Sequence, residues 1–493
     1  MNFPPMLSEG WNNLRSQLHH RPLLWTILAF VGGMLGFDLT ACVVVVCVAA
    51  LLRSFRGLIG GLIGCILGLL IVLPGPAPMV TEPGFKSAVA EVITIPRTQE
   101  QGFSGGVRVG AQKFLVVWQE DWGVSLGDEI KAEGWVKPFS EGSEEYLTKK
   151  GYSGLWTIKT RPDIEKKGSE IWRTSLLMRK SLVETTSKMV PAQDQALVDS
   201  MCFNHYAGLD QDTNDAFGYS GLKHLMAASG STVLIICGVL MLLLRALPLP
   251  RWACVVVTIV VLGMYVGAAS LTAAAVRSVL MLLVVFLAEW VRRPYDAIST
   301  LSLVAIVALL LDPTSLLDAG FQISYACSLG YGIVVQQPRA QEAGLIHRLG
   351  LSVWDAVRMS GYGWLLSTPI LAHHFHYVAL GGVPGTLLAL VPYTILVSAV
   401  FGGWIASGLG LSMLLPWLGW GVTPCISALR WIADTMSHPA LTIPVYGFSV
   451  WWLVIGYGTF FLVWAVRTHP RGGERGVRSV PGSGEAAEAE PKA

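Results

Sequence analysis

The stretch WACVVVTIVVLGMYVGAASLTAAAVRSVLMLLVVFLAEWV, residues 252–291, determines the class of the fold. It carries only two charged side chains, Arg277 and Glu289. The apolar core of a bilayer needs about 20 consecutive apolar residues per crossing helix. The stretch is long enough for two such helices, joined at the small residues around Ser270. It therefore predicts a pair of membrane-spanning helices.

The composition of the whole chain agrees with this prediction. Of its 493 residues, 53% are hydrophobic and 14% are charged, whereas an average soluble domain has about 25% charged residues. Mean hydropathy is +0.54. These values exclude a soluble enzyme of this size and a disordered chain. A net charge of +2 gives no general signature of nucleic-acid binding. We expect a polytopic α-helical membrane protein.

Other apolar runs extend the prediction along the chain. They predict spans at about 222–244, 252–270, 272–291, 297–311, 319–336, 359–378, 384–409 and 448–466. The stretch 411–436, rich in Trp and Pro, fits either a span or an interfacial helix. Three short apolar runs, at 23–37, 39–52 and 57–73, predict anchor helices. If 411–436 crosses, the total is twelve spans, and the positions of the arginines place both termini in the cytoplasm.

The domain organisation follows from changes in this pattern. Residues 1–78 hold the anchor helices, and 79–170 alternate apolar and polar residues between Gly and Pro, which predicts a small antiparallel β domain. Three crossings before it place that domain outside the cytoplasm. Residues 171–218 predict an amphipathic helical connector, lying at the membrane interface or packing beside the β domain. Residues 219–466 form the main membrane domain, and the low-complexity 467–493 predicts a disordered cytoplasmic tail.

Polar residues inside the apolar runs are the candidates for function, because they are costly in a bilayer. In HLMAASGSTVLIICG (224–238), five small residues interrupt an apolar helix. This pattern fits an unwound, pore-lining segment, and it fits close helix packing equally well. Ser229 near His224 also raises the possibility of a nucleophile, although no G-x-S-x-G elbow surrounds it.

Arg277 is predicted near the middle of its helix, where a guanidinium needs a polar partner or a hydrated path. Such a path would accept an anion such as phosphate. The alternative is a structural ion pair with Glu289, Asp312 or Asp318.

Two further segments carry polar groups. In DPTSLLDAGFQISYACSLGYG (312–332), Gln322, Ser324 and Tyr325 interrupt a short apolar run, which fits either a polar lining or an interhelical hydrogen-bond network. The motif HHFH places His373, His374 and His376 close together, as weak metal candidates. No carboxylate or cysteine nearby completes a metal shell, so a solvated cluster is the alternative. No motif predicts a cofactor, and there is no P-loop, H-E-x-x-H or Cys-pair zinc motif.

Several of these segments, in this order, resemble the ComEC family of bacterial DNA-uptake proteins. The resemblance rests on GLKHLMAASGSTV (221–233), VRSVLM (276–281), the segment 292–326 containing DPTSLLDAGFQIS, and STPILAHHFHYVALGGVPGTLLALVPY (367–393). The β region, with GDEIKAEGWV (127–136), is similar to the OB-like extracytoplasmic domain of that family. The resemblance to this family implies an inner-membrane channel, without enzymatic activity or a cofactor, that passes single-stranded DNA into the cytoplasm.

The resemblance also implies partners and a set of path residues. The partners are single-stranded DNA, the lipid bilayer, a cytoplasmic DNA-translocating helicase, a periplasmic DNA-binding protein and a separate nuclease. A homo-oligomer is also compatible with the resemblance. The residues expected to line or shape the path are His224, Ser229, Arg277, Gln322, Ser324 and Tyr325.

The chain departs from the family pattern in two ways. Thr232 replaces a second family histidine, and the H-x-H-x-D-H motif of the metallo-β-lactamase-like domain of many relatives is missing. Three rival functions remain: a transporter of a small anionic or polar solute, an intramembrane enzyme using His224 and Ser229, and a degenerate membrane scaffold.

Overall fold

The computed structural model describes residues 79–99, 102–140, 144–293, 295–334 and 345–445, together with isolated residues between 21 and 64 and Tyr457. Apart from those isolated residues, the predicted anchor helices lie outside the described residues, as do the span 448–466 (except Tyr457) and the tail 467–493.

The β region forms a small closed barrel. Its strands are β1 (Gly84–Val92), β2 (Arg97–Gln99), β3 (Gly102–Val109), β4 (Gln112–Trp118), β5 (Glu129–Lys137), β6 (Tyr152–Ile158) and β7 (Asp163–Lys166), with helix α1 (Glu144–Lys149) between β5 and β6. Strand pairing runs β1-β3-β4-β6-β5 and closes through β1–β5. Only the pairing of β4 with β6 is parallel, so the prediction of a wholly antiparallel domain was wrong there. The expected OB-like β domain is confirmed.

Alternation along the strands builds the barrel core. In β5, Ile130, Ala132 and Val136 point inward, while the charged residues between them face solvent. The ring of Trp156 is fully buried and meets Phe114 edge to face, with ring centroids 6.0 Å apart. The barrel therefore has its own hydrophobic core, separate from that of the helices.

The remaining chain is mainly helical. The helices are α2 (Glu170–Met189), α3 (Ala192–Phe203), α4 (Gln211–Tyr219), α5 (Lys223–Met226), α6 (Gly230–Arg245), α7 (Arg251–Ala268), α8 (Ala273–Trp290), α9 (Ala297–Leu311), α10 (Ala319–Val334), α11 (Leu345–Phe375), α12 (Gly382–Gly408) and α13 (Leu415–Met436). After α11, strand β8 (Tyr377–Ala379) pairs with β9 (Thr442–Pro444).

Four of the described helical segments are long and apolar enough to cross a membrane: α7, α8, α12 and Ser412–Met436, which contains α13. Helices α6 and α9 are shorter apolar helices. These segments and the barrel confirm a polytopic helical membrane protein with an inserted β domain. The predicted single span at 222–244 was wrong, because the chain leaves the helix after Met226 and a new helix begins at Gly230.

The connector contacts both the barrel and the membrane helices, so the two alternatives predicted for it were each incomplete. On the barrel side, Arg173 of α2 forms an ion pair with the fully buried Asp128, at 2.7 Å. On the other side, α2 packs along α7, α12 and α13. At Met189 the approach is so close that a Cβ at Gly419 would overlap the Met189 carbonyl oxygen. Helix α2 therefore links the barrel to the helical bundle.

A single buried arginine fixes the turn that precedes α8. Arg179 of α2 donates to the carbonyl oxygens of Pro96 in the barrel and Ala268 at the end of α7, at 3.0 and 2.6 Å, and to Ser270 Oγ at 2.7 Å. Ser270 and Leu271 have positive φ angles of 59° and 52°, a conformation that non-glycine residues rarely adopt. These bonds hold the barrel against the start of α8.

Candidate functional site around Arg277

Arg277 lies where α6, α8 and α10 meet. It is the fifth residue of α8, which begins at Ala273. The expectation of a guanidinium near the helix centre was therefore wrong: Arg277 lies close to the end of α8 that adjoins the barrel.

The contacts of Arg277 are polar but not ionic. Its Nε donates a 2.8 Å hydrogen bond to Ser324 Oγ of α10, and Nη1 lies 3.4 Å from Met281 Sδ. Its guanidinium carbon lies 6.0 Å from the centre of the Tyr325 ring. Among the described residues, no carboxylate lies within 4.0 Å of it. The predicted ion pair with Glu289, Asp312 or Asp318 is not formed there, and Asp318 pairs with Lys150 instead.

The start of α6 is placed against Arg277 by a glycine. A Cβ at Gly230 would lie 3.0 Å from Arg277 Nη2 and 2.7 Å from Ser278 Oγ. The contact with Ser278 is shorter than real Cβ contacts, and the contact with Arg277 is tighter than most of them. The small residues predicted at this break thus permit close packing of α6 on α8.

Ser229 is the N-cap of α6. Its Oγ accepts from Thr232 N at 3.5 Å, and Thr232 Oγ1 accepts from Ser229 N at 3.1 Å, which forms a reciprocal capping box. Ser229 Oγ also lies 2.7 Å from Ser231 Oγ. His224 instead contacts the carbonyl oxygen of Gly221 through Nδ1, at 3.0 Å. In the part of the chain that the structure describes, Ser229 and His224 form no hydrogen bond with each other.

Thr232, at the position where the family resemblance led us to expect a histidine, has a structural role. It is fully buried, and its hydroxyl lies 2.7 Å from the Tyr393 hydroxyl of α12. The Tyr393 hydroxyl in turn donates to the Met201 carbonyl oxygen at 3.5 Å. This chain of contacts joins α3, α6 and α12.

Gln322 belongs to an interhelical hydrogen-bond network. Its Nε2 donates to the Leu316 carbonyl oxygen at 2.9 Å, and its Oε1 lies 3.0 Å from His374 Nε2 of α11. The His373 and His374 rings meet edge to face at 5.1 Å. Among the described residues, no three His, Cys, Asp or Glu side chains are grouped to hold a metal ion.

Tyr325 completes the cluster around Arg277. Its ring lies 4.2 Å from that of Phe321, centroid to centroid. Its buried hydroxyl has no hydrogen-bond partner among the described residues. A buried hydroxyl without a partner is uncommon and calls for a reason. The Tyr325 hydroxyl and the Arg277 guanidinium therefore both retain unused hydrogen-bonding capacity in the same cluster. Such capacity suits a phosphate oxygen or an ordered water.

The structure thus brings three of the six predicted residues together, Arg277, Ser324 and Tyr325. Ser229 precedes Gly230, which packs against Arg277, but its own hydroxyl contacts Ser231 and Thr232. Gln322 is on the same helix as Ser324 but bonds to His374, and His224 bonds to Gly221.

Sequence reasoning missed the groups that hold the barrel against the membrane helices. Arg179 is one. Lys150 is the other: its Nζ lies 2.9 Å from Asp318 Oδ2, next to the start of α10. The sequence carries no signal for these contacts, because the partners are far apart in the chain and their own segments are unremarkable.

A cleft of about 720 Å³ lies between the barrel and α2. Its lining includes Trp118, Lys180 and His205. Burial, reinforced by the charge of Arg179, lowers the pKa of His205 to about 4. Near it, burial raises the pKa of Asp199 to about 7, despite the 2.5 Å hydrogen bond that Thr186 Oγ1 donates to its carboxylate.

Fold and site together define a polytopic membrane protein that carries an extramembrane barrel and a partly unsatisfied cationic cluster between helices. The family model described as competence protein matches residues 201–470, which is more than half of the chain and contains all six predicted path residues. The chain belongs to the competence protein family.

One relative is "ComE operon protein 3" of Bacillus subtilis (strain 168), which is 26% identical over 229 residues. That match covers 46% of this chain and 28% of the relative, so the chain accounts for well under half of the relative's length. No solved structure matches.

Proposed function

We propose that this chain is a membrane channel through which one strand of DNA enters the cytoplasm during natural transformation. Membership in the competence protein family supports a role in DNA uptake. The observation that carries the proposal is Arg277, a cation between membrane helices that is bonded to a serine hydroxyl and has no carboxylate within 4.0 Å among the described residues.

The chemistry of Arg277 suits a polyanion in transit. A phosphodiester needs a cationic contact and hydroxyl groups to replace part of its hydration shell. Arg277 supplies the first, and Ser324 and Tyr325 supply the second. A wall with many arginines would retain the phosphates, whereas one guanidinium lets them pass. The six predicted residues are proposed to line or shape this path.

The proposal extends to location and partners. The membrane is the bacterial inner membrane, with the OB-like barrel outside the cytoplasm and the domain limits predicted above. A periplasmic DNA-binding protein delivers DNA to the barrel side, and a separate nuclease removes the other strand. A cytoplasmic helicase supplies the force, because the sequence has no P-loop of its own. A homo-oligomer is compatible with this arrangement.

We propose no catalytic role. Ser229 Oγ is engaged in capping α6, and no hydrogen bond joins Ser229 to His224 among the described contacts. A nucleophile needs a base within hydrogen-bond reach. The arrangement therefore favours a structural role for Ser229, as a helix cap beside the path.

The test is deletion of the gene in the source organism. Cytoplasmic entry of labelled DNA is measured separately from its binding at the cell surface. The proposal expects entry to be abolished while surface binding persists. Normal entry in the deletion strain, or loss of uptake of a small solute with intact DNA entry, would contradict it.

A further inference from the structure

The barrel meets the membrane helices through two of its loops. The loop between β1 and β3, containing Pro96, contacts Arg179. The loop between β5 and β6, containing α1, contacts Asp318. In OB-type barrels the loops at these two positions take part in binding oligonucleotides. The loop surfaces expected to meet a DNA strand therefore face the turn before α8 and the start of α10.

The second contact is a compact cluster around one carboxylate. Lys150 Nζ lies 2.9 Å from Asp318 Oδ2, and the Tyr146 hydroxyl donates to the same oxygen at 3.2 Å. Lys150 Nζ also lies 4.5 Å from the centre of the Tyr146 ring. The Lys150 and Asp318 side chains are 18% and 29% exposed. The pair is thus partly withdrawn from water, where a charge contact is worth more than on an open surface.

Asp318 also belongs to the membrane domain through its own helix. Its Oδ1 accepts from Gly320 N at 2.9 Å, and its carbonyl oxygen accepts from Gln322 N at 3.0 Å. One carboxylate oxygen therefore caps α10, while the other reaches the barrel. The same helix carries Ser324, the hydrogen-bond acceptor of Arg277.

The cluster is strongly charged. Burial alone would raise the pKa of Asp318, but Lys150 and Arg97 hold that pKa below its ordinary range, so Asp318 is ionised. Burial would likewise lower the pKa of Lys150, but Asp318 and Tyr146 raise it. Arg97, at the start of β2, is exposed. One cation, Lys150, and the Tyr146 hydroxyl thus both contact a single anion.

A lysine ammonium and a tyrosine hydroxyl are donors that also bind a phosphodiester oxygen. A phosphodiester, like a carboxylate, offers two equivalent oxygens that share one negative charge. The ring of Tyr146, on a side chain that is 40% exposed, adds a face on which a base can stack. This ring favours a DNA strand over a lipid headgroup as the source of the phosphodiester.

We propose that Lys150 and Tyr146 form a phosphodiester-binding subsite for single-stranded DNA on the rim of the barrel, and that the carboxylate of Asp318 occupies it until DNA displaces it. This inference rests on the proposed function, since it assumes that DNA reaches the barrel. It explains how a β region with 12 Lys/Arg against 14 Asp/Glu could still bind DNA. DNA would bind at this one subsite, and its affinity would depend on competition with Asp318 and not on the net charge of the β region.

The experiment measures binding of a short fluorescent oligothymidylate to the full chain in detergent, by anisotropy, over a range of salt concentrations. Asp318→Asn removes the competing charge but keeps an oxygen that can cap α10. We expect this variant to bind roughly two- to fivefold more tightly, the range set by loss of one partly exposed ion pair. We also expect its salt dependence to steepen by about one counterion.

Lys150→Gln in the Asp318→Asn background should abolish both changes. The matched control is Lys166→Gln, which removes an exposed barrel lysine paired with Glu129 and should leave the effect of Asp318→Asn intact. Unchanged or weaker oligonucleotide binding by Asp318→Asn would overturn the subsite, and so would a gain that survives Lys150→Gln. A gain seen with anionic-lipid vesicles but not with the oligonucleotide would overturn DNA as the ligand. Unfolding temperatures check that each variant is folded.

The proposed function is tested separately by DNA entry in the deletion strain. Loss of entry on deletion, combined with no effect of Asp318→Asn on binding, would leave the channel in place and remove the subsite. Normal entry on deletion would remove the channel, whatever the binding result.

Discussion

Arg277 Nε and Ser324 Oγ lie 2.8 Å apart and join α8 to α10. Both helices are held by the barrel at the ends nearest this bond. Arg179 fixes the turn before α8 through Ser270, and Lys150 contacts Asp318 just before α10. The bond therefore lies between the two elements that the barrel controls. These two contacts would transmit a movement of the barrel to Arg277.

The first prediction concerns Gly230. Gly230→Ala places a methyl group 2.7 Å from Ser278 Oγ and 3.0 Å from Arg277 Nη2, so either these two side chains or α6 itself must shift. We expect a loss of about 1–3 kcal/mol of stability, as for other overpacked sites, and reduced transformation. Thermal unfolding of the purified variant and transformation frequency measure the two effects.

The control is Gly238→Ala on the same helix, where a Cβ meets nothing within 4 Å. It should be neutral or stabilise the helix by up to about 1 kcal/mol. Equal effects of the two substitutions would show that the close approach at Gly230 does not matter.

The second prediction concerns Thr232. Thr232→Val keeps the shape of the side chain but removes the hydroxyl that completes the capping box and meets Tyr393. We expect a loss of about 1–3 kcal/mol, because the Tyr393 hydroxyl loses its 2.7 Å contact with Thr232 and the capping box loses one of its two hydrogen bonds. Tyr393→Phe, combined with Thr232→Val in a double-mutant cycle, isolates the contact between the two hydroxyls.

Restoring the family residue gives a further check at the same position. Thr232→His should destabilise the chain more than Thr232→Val, since the site is fully buried and an imidazole is much larger. If the Thr232→His variant were as stable as the original chain, the buried site around residue 232 would not require a threonine.

The sequence predicted the helices well wherever an apolar run was long and free of small polar residues. The helix predicted at 297–311 has the observed bounds of α9, and the one at 272–291 differs from α8 by one residue at each end. The break at 227–229 was predicted only as one of two alternatives, because small residues suit close helix packing as well as an unwound segment, and hydropathy does not show that Ser229 caps the start of a new helix. Hydropathy detects burial in lipid, and it does not detect caps.

The sequence alone could not predict which distant segments contact each other. The parallel contact of β4 with β6 and the pair Lys150–Asp318 depend on how the chain closes in space. Alternation predicts that a strand exists but not its neighbour. Arg277 could be identified from the sequence because a charged side chain is costly in a bilayer. Its partner Ser324 could be named only as one of several polar residues, because the contact between the two is not visible in the sequence.

The third prediction concerns pH. Burial raises the pKa of Asp199 from 3.8 to about 7 in the folded chain. Between these two values the folded chain binds more protons at this group than the unfolded chain does. The contribution of Asp199 to stability is therefore present below about pH 4 and is lost as pH rises toward 7, with a limiting slope of about 1.4 kcal/mol per pH unit.

His205 acts in the opposite sense, because its pKa is lowered to about 4. The effect of Asp199 is therefore read as the difference between the original chain and Asp199→Asn, a variant that still accepts the Thr186 hydrogen bond. We expect Asp199→Asn to gain stability relative to the original chain as pH rises from 4 to 7. Parallel stability curves for the two proteins would contradict the raised pKa.

The most direct measurement is the amount of labelled DNA that reaches the cytoplasm in cells producing Arg277→Ala. It is normalised to surface-bound label and to the amount of the protein in the membrane. We predict at least a roughly tenfold loss of entry, the effect of one lost charged contact of about 1.4 kcal/mol or more. Arg277→Lys should retain part of the activity, and Arg251→Ala, which alters an exposed arginine at the start of α7, should retain all of it. Undiminished entry with Arg277→Ala, at normal protein level, would contradict the account.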